Sequence, residues 1–552
     1  MGFYLNSKKA SLLYQDESKA AYFVDKTDIL DDMVSLVEEK EGNKYICIAR
    51  PRRFGKSVMA SMIASYFGKG RDSRAVFDRL SVSSRSWYEK HLNKHNVIYI
   101  AFNEMPQNCN SYRQYIDRIC QRMAEDLKTA YPDILIDEND AIWDILNGIL
   151  EFETEDVRFV FVFDEWDYIF HQSFITTEDK VNYLRFLSNL LKGQPYVELV
   201  YMTGILPISK YSSGSELNMF YEYTMVTEKR FGEFFGFTET EVDTLFEKYL
   251  KSVEEPHLTR GEIREWYNGY HIKHGERVYN PRSVVAALTN NNLGNYWTSA
   301  GPYDEIYYYI NHNTEAVRED IARMVSGTPV AAKVREYAAT SMNLTTRDEI
   351  FSAMVVYGFL SYEDGYVRIP NRELMERFTD MLSKEPTLGY VYRLAKESEK
   401  MLKATLAGNT AVMAEILAFA HNTETPLLRY NDETDLTALV NLAYLSARDF
   451  YRMEREDKAG TGYVDFIFYP RTEKKADALI LEFKVDHTAE DAIRQIKDRK
   501  YALKFEGKMG ERPEYTGRIL GVGIAYDRET KVHTCKVEVL REALMMKRGE
   551  TL

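Results

Sequence analysis

The stretch of sequence that decides the fold is Arg50-Pro51-Arg52-Arg53-Phe54-Gly55-Lys56-Ser57. It directly follows the apolar run 45–49 and directly precedes residues 58–67, whose apolar side chains recur at helical spacing. A strand, a tight loop ending in Gly-Lys-Ser and a helix together form the context that a phosphate-binding loop requires. The loop amides and the positive end of the helix dipole would then face a polyphosphate.

The predicted nucleotide ligands of this loop are Arg53, Phe54, Gly55, Lys56 and Ser57. Lys56 would reach the β- and γ-phosphates, and the Ser57 hydroxyl would join the coordination shell of Mg²⁺. The general motif has a glycine where this chain has Arg50, so the match to it is imperfect. An ordinary basic turn before a helix is the alternative. Arg52 and Arg53 suit phosphate contacts and solvated loop charges equally well.

The second half of a nucleotide site follows the strand candidate 159–163, which is apolar at every position. A strand of this kind is covered on both faces at the centre of a sheet, and here it ends in Asp164-Glu165. Asp164 would hold Mg²⁺ through water, and Glu165 would polarise the attacking water. Thr203, at the tip of the next strand candidate, is the candidate sensor of the γ-phosphate. The alternatives are a solvated acidic turn and a common Thr-Gly turn.

Size and composition predict a soluble protein of several domains. The chain has 552 residues, of which 45% are hydrophobic and 13% aromatic, which allows about three or four domains with real cores. The formal net charge of -14 argues against a general polyanion-binding surface but allows a local basic patch. The four cysteines form no metal-ligand pattern, and no segment resembles a signal peptide or a membrane span. We therefore expect a reducing, cytoplasmic location and no membrane partner.

Changes of pattern along the chain indicate its organisation. Residues 20–210 alternate strands with amphipathic helices, which favours a parallel sheet with crossover helices. The strand candidates are 45–49, 97–102, 159–163 and 197–202. Around 335–372 the order is helix, Thr-rich turn, helix and hairpin, with Gly365 in the hairpin turn. This order resembles a winged helix, and a plain helical lid explains it equally well.

The C-terminal part of the chain changes pattern again. Residues 390–450 are typical of helices, and the strands and single helix that follow Gly460 indicate a separate α/β domain. One strand candidate carries Asp465, and the next carries Glu482 and Lys484. Period-two alternation puts Glu482 and Lys484 on one face, and a hairpin would bring Asp465 close to them.

These three residues form a second candidate active site. Asp465 and Glu482 can bind a divalent metal that orients water for phosphodiester hydrolysis. Lys484 can position the nucleophile or stabilise developing charge. A surface hairpin with an ordinary Glu–Lys pair is the alternative.

The helix after this hairpin carries basic residues that suit a phosphate backbone, with Gln495 and Tyr501 as candidate nucleic-acid contacts near the site. A solvated amphipathic helix is the alternative interpretation. Either Glu454 or Glu456 is a further candidate metal ligand, and the sequence does not choose between them.

With both sites assembled, the chain resembles the bacterial family of AAA-ATPase-like proteins that carry a C-terminal PD-(D/E)XK nuclease-like domain. The motifs that carry the resemblance, besides the loop at 50–57, are Tyr22-Phe23-Val24-Asp25-Lys26-Thr27, Asp164-Glu165-Trp166-Asp167, Thr203-Gly204-Ile205-Leu206-Pro207-Ile208, Phe235-Gly236-Phe237-Thr238, Trp266-Tyr267-Asn268-Gly269-Tyr270, Val278-Tyr279-Asn280-Pro281, Tyr296-Trp297, Gly462-Tyr463-Val464-Asp465 and Leu481-Glu482-Phe483-Lys484. An arginine commonly stands at the position of Arg50 in this family. Two departures are Trp166, often Tyr and without expected consequence, and Tyr463, often a basic residue whose loss would weaken a phosphate contact.

The resemblance implies an α/β protein in three parts. We expect an additional-strand P-loop ATPase domain with a parallel sheet at 1–230, a helical lid with a winged-helix-like segment at 231–385, and a restriction-endonuclease-like α/β domain at 386–552. The implied ligands are ATP, Mg²⁺ or Mn²⁺, and DNA. No arginine finger is recognisable in the sequence, so a homo-oligomer stays open.

Two functions are compatible with these motifs. In the first, the nucleotide state of an ATPase controls a metal-dependent DNA nuclease. In the second, ATP binding drives a conformational change or assembly, and the C-terminal domain binds nucleic acid or a partner without cleaving it. A scaffold with degenerate sites is disfavoured because all seven central residues are present, namely Lys56, Ser57, Asp164, Glu165, Asp465, Glu482 and Lys484.

Overall fold

The computed structural model describes residues 2–38, 44–137, 140–153, 157–208, 216–226, 230–272, 275, 277–297, 315–334, 344, 346–384, 390–421, 433–459, 462–471, 475–505 and 515–544. The chain divides into two units. The first comprises Met1–Tyr309 and Ala331–Leu374, and the second comprises Ile310–Val330 and Met375–Leu552. The three domain boundaries inferred from the sequence stay a prediction.

The helices are α1 (Lys8–Glu17), α2 (Ile29–Glu38), α3 (Lys56–Phe67), α4 (Arg74–Phe77), α5 (Tyr88–His91), α6 (Tyr112–Ala130), α7 (Ile142–Phe152), α8 (Thr177–Leu191), α9 (Glu239–Ser252), α10 (Arg260–Tyr267), α11 (Pro281–Asn290), α12 (Glu315–Val325), α13 (Arg347–Val356), α14 (Arg372–Lys384), α15 (Tyr390–Leu406), α16 (Thr410–His421), α17 (Glu433–Ala443), α18 (Ala447–Phe450) and α19 (Ala489–Asp498). None of these described helices is long and apolar enough to cross a membrane. The strands are β1 (Tyr45–Ala49), β2 (Asn96–Ala101), β3 (Phe159–Asp164), β4 (Val197–Gly204), β5 (Tyr221–Tyr223), β6 (Tyr270–His271), β7 (Arg277–Val278), β8 (Val330–Ala331), β9 (Ser361–Glu363), β10 (Tyr366–Arg368), β11 (Tyr451–Ala459), β12 (Gly462–Pro470), β13 (Ala478–Val485), β14 (Ile519–Asp527) and β15 (Val532–Arg541).

The first unit is built on a five-stranded parallel sheet in the order β2-β3-β4-β1-β5. The four predicted strands are confirmed, and the short strand β5 was not predicted. Strand β4 separates the strand before the phosphate-binding loop from the acidic strand β3, which is the additional-strand arrangement that we expected. Because parallel strands share a carboxyl edge, the loop after β1, the end of β3 and the end of β4 meet there.

The central strand β3 is buried at all six positions. Helix α3 packs on β2, β3 and β4. Apolar side chains of α6, α7 and α8, among them Ile119, Leu146 and Leu187, join the core around Phe161 and Phe163. Each such side chain contributes roughly 1.5–3 kcal/mol when it is buried. This packing sets the carboxyl edge of the sheet in place.

One lateral edge of the sheet, at strand β2, is covered by residues 3–6. Leu5 bridges to Ile98 in the antiparallel sense. The buried carboxylate of Asp126, on α6, accepts hydrogen bonds from the backbone N–H groups of Phe3 (2.7 Å), Tyr4 (2.6 Å) and Leu5 (3.0 Å). An exposed strand edge is a site of unwanted pairing, and this segment closes it.

Helices α9, α10 and α11 form a second apolar core in the first unit, together with Tyr22 from the N-terminal part. The predicted hairpin is confirmed as β9 and β10. Asp364 and Gly365 form its turn with φ of +48° and +89°, which is the conformation of tight hairpin turns. A capping box at Thr346 begins the predicted helix α13. The helix predicted before it falls on residues 335–343, which lie outside the described residues.

The second unit has a mixed five-stranded sheet in the order β11-β12-β13-β14-β15. Only β13 and β14 are parallel among its neighbouring pairs. The predicted helical region before this sheet is confirmed in α15–α18, and the single helix after the hairpin is confirmed as α19. Strand β11 begins at Tyr451, before the predicted switch at Gly460. The sequence did not indicate this strand because residues 454–458 are all charged. Strand β11 lies at the edge of the sheet, where it pairs with one neighbour and tolerates charged side chains.

Candidate functional site

The phosphate-binding loop bends around its own lysine. Gly55, the residue before α3, has φ +85°, a backbone conformation that glycine adopts without strain. Lys56 Nζ donates hydrogen bonds to the carbonyl oxygens of Arg50 (3.0 Å) and Pro51 (2.9 Å). Burial lowers the pKa of Lys56, and the carboxylates at the end of β3 oppose that shift. The loop therefore holds a buried amine at the N-terminus of a helix.

Arg50, the residue in place of the usual glycine, is buried and holds the start of the loop in place. Its Nη1 donates hydrogen bonds to the carbonyl oxygens of Ala49 (2.9 Å) and Tyr223 (2.7 Å). Its guanidinium lies 5.3 Å from the ring centre of Phe235. Arg50 thus links the start of the loop to β5, which explains structurally why a large basic residue replaces glycine here.

The acidic end of β3 lies beside the tip of β4. Thr203 Oγ1 donates a hydrogen bond of 2.7 Å to Asp164 Oδ1, and both side chains are buried. Glu165 follows with φ +50°. Burial raises the pKa of Glu165, and the neighbouring Asp164 raises it further, whereas Lys56 lowers it. The predicted sensor Thr203 is therefore bonded to the predicted metal ligand Asp164.

Asp167, to which the sequence assigned no role, joins the two motifs that surround it. Its buried carboxylate accepts hydrogen bonds from the backbone N–H groups of Ile205 (3.0 Å) and Leu206 (2.8 Å). A Cβ on Gly204 would lie 2.6 Å from the indole ring of Trp166. The segments 164–167 and 203–206 therefore pack tightly against each other. This packing explains why Gly204 and Asp167 occupy their positions.

A cavity of about 830 Å³ opens beside the loop, within the usual size range of small-molecule sites. The loop residues 52–57 line it together with Glu165, Asp167 and Arg282. Its lining continues along α3 through Met59 and Met62. The segment 22–24, with Tyr22 and Phe23, and the α11 side chains Val285 and Ala286 complete its apolar walls. A charged region and an apolar region thus share one cavity.

The hairpin predicted in the second unit is present, with Phe466 opposite Leu481. Asp465 Oδ2 accepts a hydrogen bond of 2.7 Å from the backbone N–H of Phe483. Lys484 Nζ donates to Glu482 Oε1 at 3.0 Å, and Glu482 is only 3% exposed. The structure therefore brings Asp465, Glu482 and Lys484 together at the centre of this sheet.

Two side chains from the next segment complete this cluster. Gln495 Nε2, on α19, donates a hydrogen bond to Glu482 Oε1 and lies 3.4 Å from the Tyr501 hydroxyl. Burial raises the pKa of Tyr501. Glu454 pairs with Arg452 at 3.0 Å, and the Glu456 and Tyr463 side chains lie outside the described residues. Among the side chains that the structure describes, no three of His, Cys, Asp or Glu are grouped as a metal site.

Comparison with known protein families matches both regions. Residues 15–213 match the family model described as a predicted AAA-ATPase. Residues 435–534 match the PD-(D/E)XK nuclease superfamily. The chain carries an AAA-ATPase-like domain and a PD-(D/E)XK superfamily domain.

Individual relatives are distant. An uncharacterized protein in the vnfD 5'region of Azotobacter chroococcum mcd 1 is 28% identical over 300 residues, which cover 51% of this chain and 51% of that protein. The chain thus spans about half the length of this relative. The Walker-type ATPase paby2304 of Pyrococcus abyssi has a TM-score of 0.38 at 12% identity, over 64% of this chain and 94% of that one. The ORC2 protein of Aeropyrum pernix has a TM-score of 0.32 at 11% identity, over 64% and 93%.

Positive charges converge in the cavity of the ATPase-like domain. Arg52, Arg53 and Arg282 line it with Lys56. Burial lowers the pKa of Arg53, and the guanidinium groups of Arg282 and Arg52 lower it further, whereas Glu165 opposes the shift. Cations held this close repel one another unless an anion binds between them. The cluster therefore fits a polyphosphate.

The sequence missed Arg282 because a lone arginine after Asn280-Pro281 has no pattern of its own. Two signals pointed to its position. Asn280 caps α11 by accepting from the backbone N–H of Ser283 at 3.2 Å, and Pro281 occupies the first turn, which marks a helix start. The N-terminus of a helix favours anions. Arg282 adds a positive charge at this N-terminus, so the position suits a ligand that carries several negative charges.

Proposed function

We propose that the ATPase-like domain binds and hydrolyses ATP, and that its nucleotide state controls a metal-dependent DNA nuclease in the C-terminal domain. One observation carries the nucleotide proposal, namely the convergence of Lys56 and three arginines with Glu165 in a single cavity of about 830 Å³. A triphosphate fits the cationic part of the cavity, and an adenine base fits its apolar part. The family matches support both catalytic classes.

In the ATPase-like domain, the residues around the cavity have distinct roles in this proposal. Lys56 and the loop amides bind the β- and γ-phosphates, and Arg282 adds positive charge where the transferred phosphoryl group would lie. Glu165 orients and polarises the attacking water, and its raised pKa brings it closer to a useful base. Ser57 and Asp164, the latter held by Thr203, would bind Mg²⁺. Mg²⁺ neutralises charge on the phosphate oxygens when it is bound.

In the C-terminal domain, Asp465 and Glu482 would bind Mg²⁺ or Mn²⁺, which activates water for attack on a phosphodiester. The backbone N–H of Phe483 fixes Asp465, while Lys484 and Gln495 fix Glu482. The side chain of Lys484 is 16% exposed. It would stabilise the charge that develops in the transition state. Gln495 is the proposed nucleic-acid contact, and Tyr501, which is only 1% exposed, would position its amide.

The ATPase part is tested by measuring Mg-ATP binding by calorimetry and phosphate release by the purified chain. We expect stoichiometric binding and turnover in the wild type, weakened binding in Lys56→Ala, and retained binding with slow turnover in Glu165→Gln. Equal hydrolysis by Glu165→Gln would contradict the role of Glu165. Binding with negligible turnover in the wild type would favour the switch over the ATPase.

The nuclease part is tested on linear, circular and single-stranded DNA with Mg²⁺ or Mn²⁺, in the presence and absence of ATP. We expect cleavage of at least one form by the wild type and none by Lys484→Ala. Cleavage at the same rate by Asp465→Ala or Lys484→Ala would identify a contaminating nuclease. Absence of cleavage under all conditions would leave a nucleic-acid-binding or partner-binding role for this domain.

A further inference from the structure

A buried carboxylate outside the recognised motifs links two parts of the nucleotide cavity. Glu373, in the first turn of α14, is 1% exposed. Its Oε1 accepts a hydrogen bond from the backbone N–H of Trp297 at 2.6 Å. Its Oε2 accepts one from the Ser283 hydroxyl at 2.8 Å. Burying a carboxylate is costly unless strong donors bind both oxygens, and here both oxygens have them.

Each of these two donors leads directly to a residue that lines the cavity. The indole Nε1–H of Trp297 donates to the carbonyl oxygen of Arg52, in the phosphate-binding loop, at 3.0 Å. Ser283 follows Arg282 in the first turn of α11. Glu373 is therefore two contacts away from the loop and one contact away from the helix turn that carries Arg282.

Neighbouring residues support the loop at two further points. A Cβ on Gly358, whose φ is +84°, would lie 2.7 Å from Pro51 Cβ. The ring of Phe54 packs edge-on against Tyr270, with ring centres 4.9 Å apart. Residues distant in the sequence thus contact the loop at Pro51, Arg52 and Phe54.

We propose that Glu373 is a positioning residue of the nucleotide site, which fixes the phosphate-binding loop relative to Arg282 through Trp297 and Ser283. This inference rests on the proposed function, because it assumes that the ligand of the cavity is ATP. Catalytic groups that are misplaced by about 1 Å can cost a hundredfold in rate. A single buried carboxylate that joins two phosphate-binding elements is suited to prevent such misplacement.

The test compares Glu373→Ala with Glu373→Gln. Glutamine can accept from the Trp297 N–H with its oxygen and donate from its amide to the Ser283 hydroxyl, whereas alanine loses both bonds. We expect Glu373→Ala to raise the Kd for Mg-ATP and lower kcat, each by about tenfold or more. Glu373→Gln should remain within about threefold of the wild type. Alanine and glutamine variants with equal ATP binding and turnover would overturn the proposal.

A second readout needs no nucleotide, so it separates this proposal from the ATPase assignment. The tryptophan emission of Glu373→Ala should shift to longer wavelength because Trp297 loses its backbone anchor and gains exposure. The shift should vanish when Trp297→Phe is added and should persist when Trp266→Phe is added. Trp266 is a matched control, since its buried indole N–H has no hydrogen-bond partner among the described residues.

The two readouts together distinguish the outcomes. A wild type that fails to bind Mg-ATP would contradict the proposed function, while the emission shift would still support the anchoring of Trp297 by Glu373. An unchanged emission spectrum in a folded Glu373→Ala protein would overturn the positioning role whether or not ATP binds. Circular dichroism and thermal melting establish that each variant is folded.

Discussion

The Thr203 hydroxyl lies 2.7 Å from Asp164 Oδ1 and donates a hydrogen bond to it. Both side chains are buried at the carboxyl edge of the sheet, on the adjacent strands β4 and β3. A carboxylate in this position is held in one orientation by its neighbour. A residue that the sequence predicted as a phosphate sensor thus also orients the proposed metal ligand.

Removing the Thr203 hydroxyl should therefore impair the ATPase through Asp164. Thr203→Val keeps the shape of the side chain and leaves a buried carboxylate with one donor fewer, which costs about 1–3 kcal/mol of stability. We expect a reduced rate of ATP hydrolysis that higher Mg²⁺ partly restores. Thr203→Ser keeps the hydroxyl and is the control. Wild-type Mg²⁺ dependence in Thr203→Val would show that this hydrogen bond does not orient a metal ligand.

The pH dependence of hydrolysis should report on Glu165. Its pKa is raised by burial, so the rate should fall on acidification at a pH above about 4.3, the ordinary value for glutamate. The sign follows because only the ionised carboxylate polarises water. The residual rate of Glu165→Gln should lack this acidic limb. An identical limb in the variant would assign it to another group.

The same shift has a consequence for stability. A carboxyl group whose pKa is raised in the folded state binds its proton more tightly there than in the unfolded chain. Its contribution to the free energy of unfolding therefore falls as the pH rises through the folded pKa. Glu165→Gln should therefore melt at least as high as the wild type at pH 8, with the smallest difference at pH 4. Thermal melts at both pH values measure this. If the gain in stability of Glu165→Gln over the wild type is smaller at pH 8 than at pH 4, the raised pKa is contradicted.

The C-terminal site should lose activity without losing its fold when Asp465 becomes asparagine. The amide oxygen can still accept from the Phe483 N–H, which Asp465 binds at 2.7 Å, but the negative charge is gone. We expect cleavage to fall by at least about a hundredfold, since even residues that only support metal ligands contribute up to that much. Unchanged thermal melting is the control, and undiminished cleavage would exclude Asp465 as a metal ligand.

The hydrogen bonds that the Asp126 carboxylate accepts should stabilise the fold independently of either active site. Its carboxylate accepts three backbone hydrogen bonds from Phe3, Tyr4 and Leu5. Asp126→Ala should lower the free energy of unfolding by about 3 kcal/mol, because three donors lose a charged acceptor. Asp126→Asn, which keeps one acceptor oxygen, should lose less. Equal urea midpoints for the wild type and Asp126→Ala would contradict this account.

The elements that the sequence predicted are those with local signals. Gly55 and Lys56 stand between an apolar strand and a helix, and Glu482 and Lys484 alternate along one strand. Asp465 needed only a hairpin to reach them, and the hairpin is present. Each of these inferences depends on neighbours in sequence, so periodicity and turn chemistry were sufficient.

The residues that the sequence missed depend on distant contacts. Glu373 binds Trp297 and Ser283 across 76 and 90 residues of the chain. Arg282 reaches the cavity because the fold places the start of α11 and the loop around the same cavity. The sequence identified Arg50 as typical of the family but not its role, which depends on a hydrogen bond to Tyr223, far along the chain. No pattern of spacing records such contacts, since folding rather than sequence adjacency brings the partners together.

We propose that nucleotide bound at Lys56 controls the chemistry at Lys484. The most direct measurement is the DNA cleavage rate with and without ATP for the wild type, Lys56→Ala and Lys484→Ala. We predict that ATP changes the rate in the wild type, that Lys56→Ala cleaves at a rate indifferent to ATP, and that Lys484→Ala does not cleave. A wild-type rate that ATP leaves unchanged, or an undiminished ATP response in Lys56→Ala, would contradict the account.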